Sequence, residues 1–400
     1  MRRNTISKNH TFYVLLFQLC VICDSVLGDD AEFYVISKGI MLLFFAGMFL
    51  RIIQNRGKLK VSRSFLLPFA FFLYMTLSLI WSYNRSLATA QYITELQLFV
   101  LFIFTYYFMR TEGKIDDYYI AVYLSGFLMA AFALYKYGGV SGYMSIMQSG
   151  RRLGGEIANE NTYGLIFANA SLIALYLAIM KNRKIHFLSL ALFLFFGFSS
   201  GSKKFIFLVA AGVVGILLIN YGWRRIYKIL FGSTVILYAG IKALELPIFR
   251  TINKRFHSYI SGDLNVSDAA RKYMIQFGID LYKERPILGY GLNNYRHFYP
   301  TGQYSHNNFV EILACLGTIG FLLYYSMYVS PIFFFIKQWV KKSVAFCNEH
   351  KMLLFLLVIN CVFGYGMVQL YDKSAWILLG VSIAAKDTLK ESIQWGNNNG

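Results

Sequence analysis

The sequence predicts an all-α, polytopic integral membrane protein with about twelve spans and one large extracytoplasmic loop. Three observations carry this. The chain is 57% hydrophobic and 15% charged, against about 45–50% and about 25% in soluble domains. Its apolar residues gather in long runs, several close to the roughly 20 residues that cross a bilayer as helix. Lys and Arg collect in alternate loops. A single soluble fold is excluded.

Spans are expected at 11–27, 33–53, 64–82, 92–109, 117–137, 162–180, 185–199, 203–220, 226–243, 309–336, 352–371 and 375–388, within one membrane domain over 1–400. The seventh and twelfth are short. Met1-Arg2-Arg3 and the apolar run to Gly28 have the outline of a signal peptide. A first transmembrane helix is preferred, because a second span follows almost at once.

Arg2, Arg3 and Lys8 share one side with the cluster from Arg51 to Arg63, with Arg110 and Lys114, and with Lys181, Arg183 and Lys184. Arg224, Arg225 and Lys228, then Lys337, Lys341, Lys342 and Lys351, fall on the same side. The opposite side opens on Asp29-Asp30-Ala31-Glu32. The positive-inside bias then puts both termini in the cytoplasm. Two outer loops break the bias: 138–161 with Arg151 and Arg152, and 244–306 with Arg250, Lys254, Arg255, Arg271, Lys272, Lys283, Arg285 and Arg296. Lys203-Lys204 forms a third outer cluster. Cations kept on the translocated side point to an anionic ligand. The plainer reading is a mixed-charge loop, since Asp263, Asp268, Asp280 and Glu284 lie there too. The net charge of +19 is scattered over many loops, which argues against nucleic-acid binding.

The five cysteines are Cys20, Cys23, Cys315, Cys347 and Cys361. Four fall in expected spans and read as buried free thiols. The Cys20/Cys23 pair has no second pair to complete a zinc site. No phosphate-binding loop is present.

The most informative stretch is Ser305-His306-Asn307, where the large loop re-enters the membrane. Histidine exchanges protons near neutral pH, and here it can meet a lipid-anchored group and water together. The plainer reading is a helix start capped by Ser305 or Asn307. His257 and His297 adjoin no helix boundary. Within the loop, a helix is expected at about 267–285. Ser267 or Asp268 would cap it, Ala270, Tyr273, Met274, Phe277 and Leu281 form its apolar stripe, and Pro286 ends it. Arg271 and Lys272 are expected in its first turn, where unpaired N–H groups favour a bound anion; the alternative is an amphipathic helix lying on lipid. Arg151, Arg152, Arg255, Arg271 and Arg285 offer the planar fork that grips phosphate oxygens. Asn161 is expected to cap the sixth span. Tyr282, Tyr290, Tyr295, Phe298, Tyr299 and Tyr304 suit either sugar stacking or the membrane interface. Asp24, Lys38, Glu95 and Lys242 are expected mostly near span ends, where snorkelling is cheap.

These residues resemble the O-antigen ligase and O-antigen polymerase superfamily of bacterial membrane glycosyltransferases. Ligases carry His, then Asn, Ser or Gln, nine residues, and Gly-x-x-Gly followed by Gly, Thr or Tyr. This chain has His306-Asn307, nine residues and Gly317-Thr318-Ile319-Gly320, and departs at Phe321. The run from Arg271 through Pro286-Ile287-Leu288-Gly289-Tyr290-Gly291 is similar to the family's loop, as are Arg152 to Asn161 and Ser202-Lys203, where many relatives have Arg in place of Lys203. The likeness covers roughly 145–325 and the topology.

The resemblance implies a GT-C-like fold in the bacterial cytoplasmic membrane. It implies a polyprenyl diphosphate-linked oligosaccharide donor, no cofactor and no metal. Membrane lipids, a flippase and chain-length regulator proteins are the implied partners. The implied catalytic residues are His306 as base on the acceptor hydroxyl, Arg271 on the diphosphate, and Asn307. Arg151, Arg152, Asn161, Lys203, Arg255, Arg285 and Tyr290 are expected to bind diphosphate or glycan. Phe321 favours a polysaccharide polymerase for O-antigen, capsule or exopolysaccharide over a ligase. The polymerases' arginine–glycine spacing is absent at Arg151, Arg152 and Arg271. A transporter of lipid-linked sugars would need paired halves and broken helices, neither of which is plain in the sequence, and a glycan-binding scaffold is a more distant alternative.

Overall fold

A computed structural model describes residues 8–55, 62–157, 159–222 and 266–399, with isolated positions between 225 and 242. The described helices are α1 (Lys8–Leu27), α2 (Tyr34–Gln54), α3 (Leu66–Trp81, after a 3₁₀ turn at Arg63–Phe65), α4 (Arg85–Thr111), α5 (Ile115–Lys136), α6 (Gly139–Gln148), α7 (Glu160–Ile179), α8 (His186–Ser199), α9 (Lys203–Tyr221), α10 (Val266–Glu284), α11 (Tyr295–Phe298), α12 (Asn308–Val340), α13 (Asn348–Phe363) and α14 (Lys373–Asn399). Among the described residues, eight helices are long and apolar enough to cross a membrane: α1 to α5, α7, α9 and α12. The apolar α8 is shorter, at 14 residues. Most of the expected span 226–243, and residues 244–265 with Arg255, lie outside the described residues.

Two expected spans have different limits. α13 stops at Phe363 instead of reaching 371, because Asn308 holds the next stretch as a loop. Its Oδ1 accepts from the Gln369 and Leu370 N–H groups at 2.9 Å each, and its own N–H donates to Gly364 O at 2.7 Å. α14 runs well past 388, where its polar residues have partners on α4: Arg110 donates to Thr388 Oγ1 at 3.0 Å and pairs with Glu391 at 2.5 Å.

The chain forms two compact units, residues 1–47 with 116–263 and residues 48–115 with 264–400. In the first, small residues let helices approach closely, as membrane helix packing requires. A Cβ on Gly126 of α5 would fall 2.6 Å from Ala170 of α7, and one on Gly212 of α9 would strike the Leu172 side chain. In the second unit α14 packs along α4, with Gly380 against Thr105. The buried Trp376 meets Phe71 and Phe102, at ring distances of 6.4 and 6.1 Å. Glu95 departs from the expected place near a span end. It lies eleven residues into α4, fully buried, accepting from Gln91 Nε2 at 3.1 Å.

Candidate functional site

In the second unit, α12 is two helices joined at a break. Gly317 takes φ 63° and ψ −168°, a left-handed backbone that favours glycine. Breaking a helix frees carbonyls before the break and N–H groups after it, and inside a membrane each needs a partner. The loop after α10 supplies them. Tyr290 N donates to Ala314 O at 3.0 Å and Gly291 N to Cys315 O at 2.7 Å, while Thr318 N donates to Pro286 O at 2.8 Å. Tyr74 OH caps the third carbonyl, Leu316 O, at 2.8 Å. The two glycine-bearing motifs of the sequence are therefore one object, a loop inserted into a helix break.

His306 lies at the mouth of this broken helix. Its backbone is also left-handed, at φ 54°. The turn around it is fixed from both sides. Asn307 caps α12, its Oδ1 accepting from the Phe309 and Val310 N–H groups at 3.0 and 3.1 Å, and its Nδ2 donates to Tyr365 O at 3.1 Å. Asn307 is 2% exposed, so its amide serves the helix start. On the other side, Ser305 N donates to the fully buried Glu311 Oε2 at 2.8 Å. The His306 ring, only partly covered, lies 4.2 Å from the Tyr304 ring. The Arg296 guanidinium lies over the Tyr304 ring, 5.1 Å from its centre. Arg296 Nε is buried with no hydrogen-bond partner, a costly state for a charged donor. Arg296 and His306 thus both contact Tyr304, one as a cation over the ring and the other as an imidazole tilted 50° to it.

Sequence reasoning placed Arg296 only in the loop's general cation count. The signal that could have found it is the eight-residue step from Arg296 to Tyr304, two residues short of His306, but spacing along a loop does not reveal stacking.

Arg271 lies on α10, which packs on α12 with Gly278 against Val310. The helix starts at Val266, so Ser267 and Asp268 sit inside its first turn instead of capping it, and Arg271 falls in the second. The argument from unpaired first-turn N–H groups therefore does not apply to Arg271. The apolar stripe is narrower than expected: Met274 and Leu281 are buried, whereas Tyr273 is 56% exposed. The helix ends just before Pro286, as expected. Arg285 lies 4.7 Å over the Tyr290 ring, and Tyr290 OH donates to Glu284. Burial, then that bond, raises the Tyr290 pKa. Most of the loop's aromatic residues fill its own interior, as with Tyr295 and Tyr299, stacked at 5.6 Å.

The first unit carries its own cleft of about 420 Å³, whose lining includes Tyr137, Arg151, Arg152, Glu156 and Glu160. Arg152 is half-buried and bound on three sides: Nε donates to Ser200 O at 2.8 Å, one terminal nitrogen to Asn161 Oδ1 at 3.3 Å, and the other lies 3.6 Å from Glu160. Asn161 is not the cap of α7. Asn159 is, accepting from the Asn161 and Thr162 N–H groups at 2.9 Å each, because its extended backbone aims the side chain at the first turn. Asn161 Oδ1 also accepts from Ser202 Oγ at 3.0 Å. Lys203 opens α9 one residue later, exposed.

All five cysteines are thiols, and Cys347, the one outside the expected spans, is exposed. Among the described residues, no three His, Cys, Asp or Glu side chains gather as a metal-ligand set.

Residues 187–325 match the family model described as O-antigen ligase. The matched stretch runs from the second residue of α8 into α12, past the break. It contains Lys203, Arg271, Arg296 and His306, and leaves Arg151 and Arg152 outside. No curated protein matches the chain.

Proposed function

We propose that the chain, whose residues 187–325 match the O-antigen ligase family model, is a polysaccharide polymerase of the bacterial cytoplasmic membrane. It joins polyprenyl diphosphate-linked repeat units on the outer face, with both of its termini in the cytoplasm. The observation that carries the reading is the Arg296–Tyr304–His306 series at the mouth of the broken helix.

In this reading His306 takes the proton of an acceptor hydroxyl, a role worth about 10²–10⁴-fold. The hydroxyl oxygen bonds to the anomeric carbon of the donor, and the bond from that carbon to the diphosphate oxygen breaks. Polyprenyl diphosphate leaves with the electron pair, and Arg271 and Arg296 hold the charge that develops on it. Asn307 acts through the turn, fixing His306 at the end of α12.

A ligase, transferring the finished glycan to a lipid or protein, is the second reading. The His306-Asn307 to Gly317-x-x-Gly320 spacing favours it. Phe321 opposes it, because the ring is packed against Tyr325 at 4.7 Å where the ligase pattern has Gly, Thr or Tyr.

The test is transfer by the purified protein in lipid vesicles supplied with lipid-linked repeat units alone. A ladder of longer lipid-linked glycans supports the polymerase. No ladder, with transfer only once a separate acceptor is added, supports the ligase. Unchanged repeat units under both conditions reject both.

A further inference from the structure

Arg296 and His306 meet on one side chain, Tyr304, which itself takes no step in the transfer. The guanidinium lies over its ring at 5.1 Å, and the His306 ring is 4.2 Å away at an angle of 50°. Neither contact is a hydrogen bond. A ring contact fixes the plane of an imidazole without using its nitrogens, which a base needs for the hydroxyl it deprotonates. An aromatic face also accepts a cation, so the same ring suits His306 before and after it takes the proton.

The backbone holds these groups in place from both ends. Ser305, between Tyr304 and His306, is fully buried. Its N–H donates to Glu311 Oε2 at 2.8 Å, and its Oγ donates to Asn307 O at 2.8 Å and accepts from Asn307 N at 3.2 Å. The two rings therefore flank a residue that is tied to the start of α12. At the other end, Arg296 follows the fully buried Tyr295. Tyr295 N donates to Cys315 Sγ at 3.4 Å, and its hydroxyl donates to Met274 O at 2.8 Å. We infer that Tyr304 is a positioning residue of the transfer. It sets the base His306 and the cation Arg296 relative to one another, one where the new bond forms and the other where the old bond breaks. This role depends on the transferase reading for the reaction it serves.

The experiment uses the full chain in lipid vesicles. Tyr304→Leu and Tyr304→Met each remove the ring, so that one remains if the other fails to fold, and Tyr304→Phe keeps the ring without the hydroxyl. The first readout is transfer from lipid-linked repeat units. Turnover by the Leu and Met variants is expected to fall about ten- to a hundredfold, at a KM and an unfolding temperature near those of wild type. Tyr304→Phe is expected to restore most of that loss. The second readout needs no turnover: carbethoxylation of the partly covered His306 by diethyl pyrocarbonate, followed by mass spectrometry. It is expected to run faster without the ring than in wild type or Tyr304→Phe. Wild-type turnover by both ringless variants overturns the inference. A raised KM alone overturns it by making Tyr304 a substrate contact, and a Phe variant as impaired as the other two assigns the effect to the hydroxyl. A lowered unfolding temperature that accounts for the loss, or one His306 modification rate in all four proteins, overturns it as well. A wild-type protein that transfers nothing rejects the transferase reading, and the modification rates still decide whether Tyr304 holds His306.

Discussion

A side chain on Gly289 would come within 2.6 Å of the Gly317 amide nitrogen, because the loop bearing Gly289 fills the break that Gly317 opens in α12. Both glycines are left-handed, at φ 69° and 63°. The contact ties the long outer loop to the helix that starts beside His306, so the stability of the break and the geometry of the site are linked.

Gly317→Ala meets two costs. The left-handed backbone costs about 1–2 kcal/mol, and the added Cβ would lie 2.3 Å from Ile287 O. Gly302, at φ 67° with nothing within 4 Å of an added Cβ, meets the first alone. Gly317→Ala is therefore expected to lower the unfolding temperature more than Gly302→Ala, read on the purified proteins in one detergent. Equal losses would mean that the loop does not press on the break.

Glu311 holds Ser305 N from within the helix. Glu311→Ala leaves a buried N–H unsatisfied, at about 1–3 kcal/mol, and releases the turn carrying His306. Glu311→Gln keeps an acceptor oxygen. The Ala variant is expected to lose both stability and glycan transfer, while Gln keeps most of each. Wild-type transfer by the Ala variant would show that the turn stands without Glu311.

Arg296→Lys retains the positive charge and loses the flat face over Tyr304. With one charge-assisted bond to the leaving group removed, transfer is expected to fall about ten- to a hundredfold at unchanged protein level. Activity equal to wild type would remove Arg296 from the site.

Asp30 gives a pH prediction. Burial raises its pKa, but hydrogen bonds from Lys136 and from the Glu32 and Phe33 N–H groups outweigh this, and the net shift is below the usual 3.8. A folded value under the unfolded one stabilises above the unfolded value, and the contribution fades as pH falls through the folded one. Asp30→Asn is expected to lower the unfolding temperature at pH 7 and to match wild type only in acid below the lowered, folded-state value. A difference that persists there would assign the loss to packing.

Much of this was legible in the sequence. Apolar runs gave most helices to within a few residues, Pro286 marked the end of α10, and the resemblance at His306 and the Gly317 motif fell inside the matched family segment. What stayed hidden depends on distant partners. α13 ends early because Asn308, about sixty residues away, holds the chain beyond it. The α7 cap is Asn159 and not Asn161, because a run with two asparagines does not reveal which backbone is extended. Glu95 is buried deep in its helix, which a helical ruler on one sequence cannot tell from a position near the surface. Arg296 was passed over because stacking on Tyr304 is a property of the folded loop.

The central claim is that His306 works on the glycan, and the most direct measurement is the glycan length profile of cells carrying His306→Ala, beside wild type and a strain lacking the protein. The account predicts single repeat units at normal protein level, as in the strain without the protein. A wild-type ladder would contradict it and leave His306 as a residue of the helix boundary.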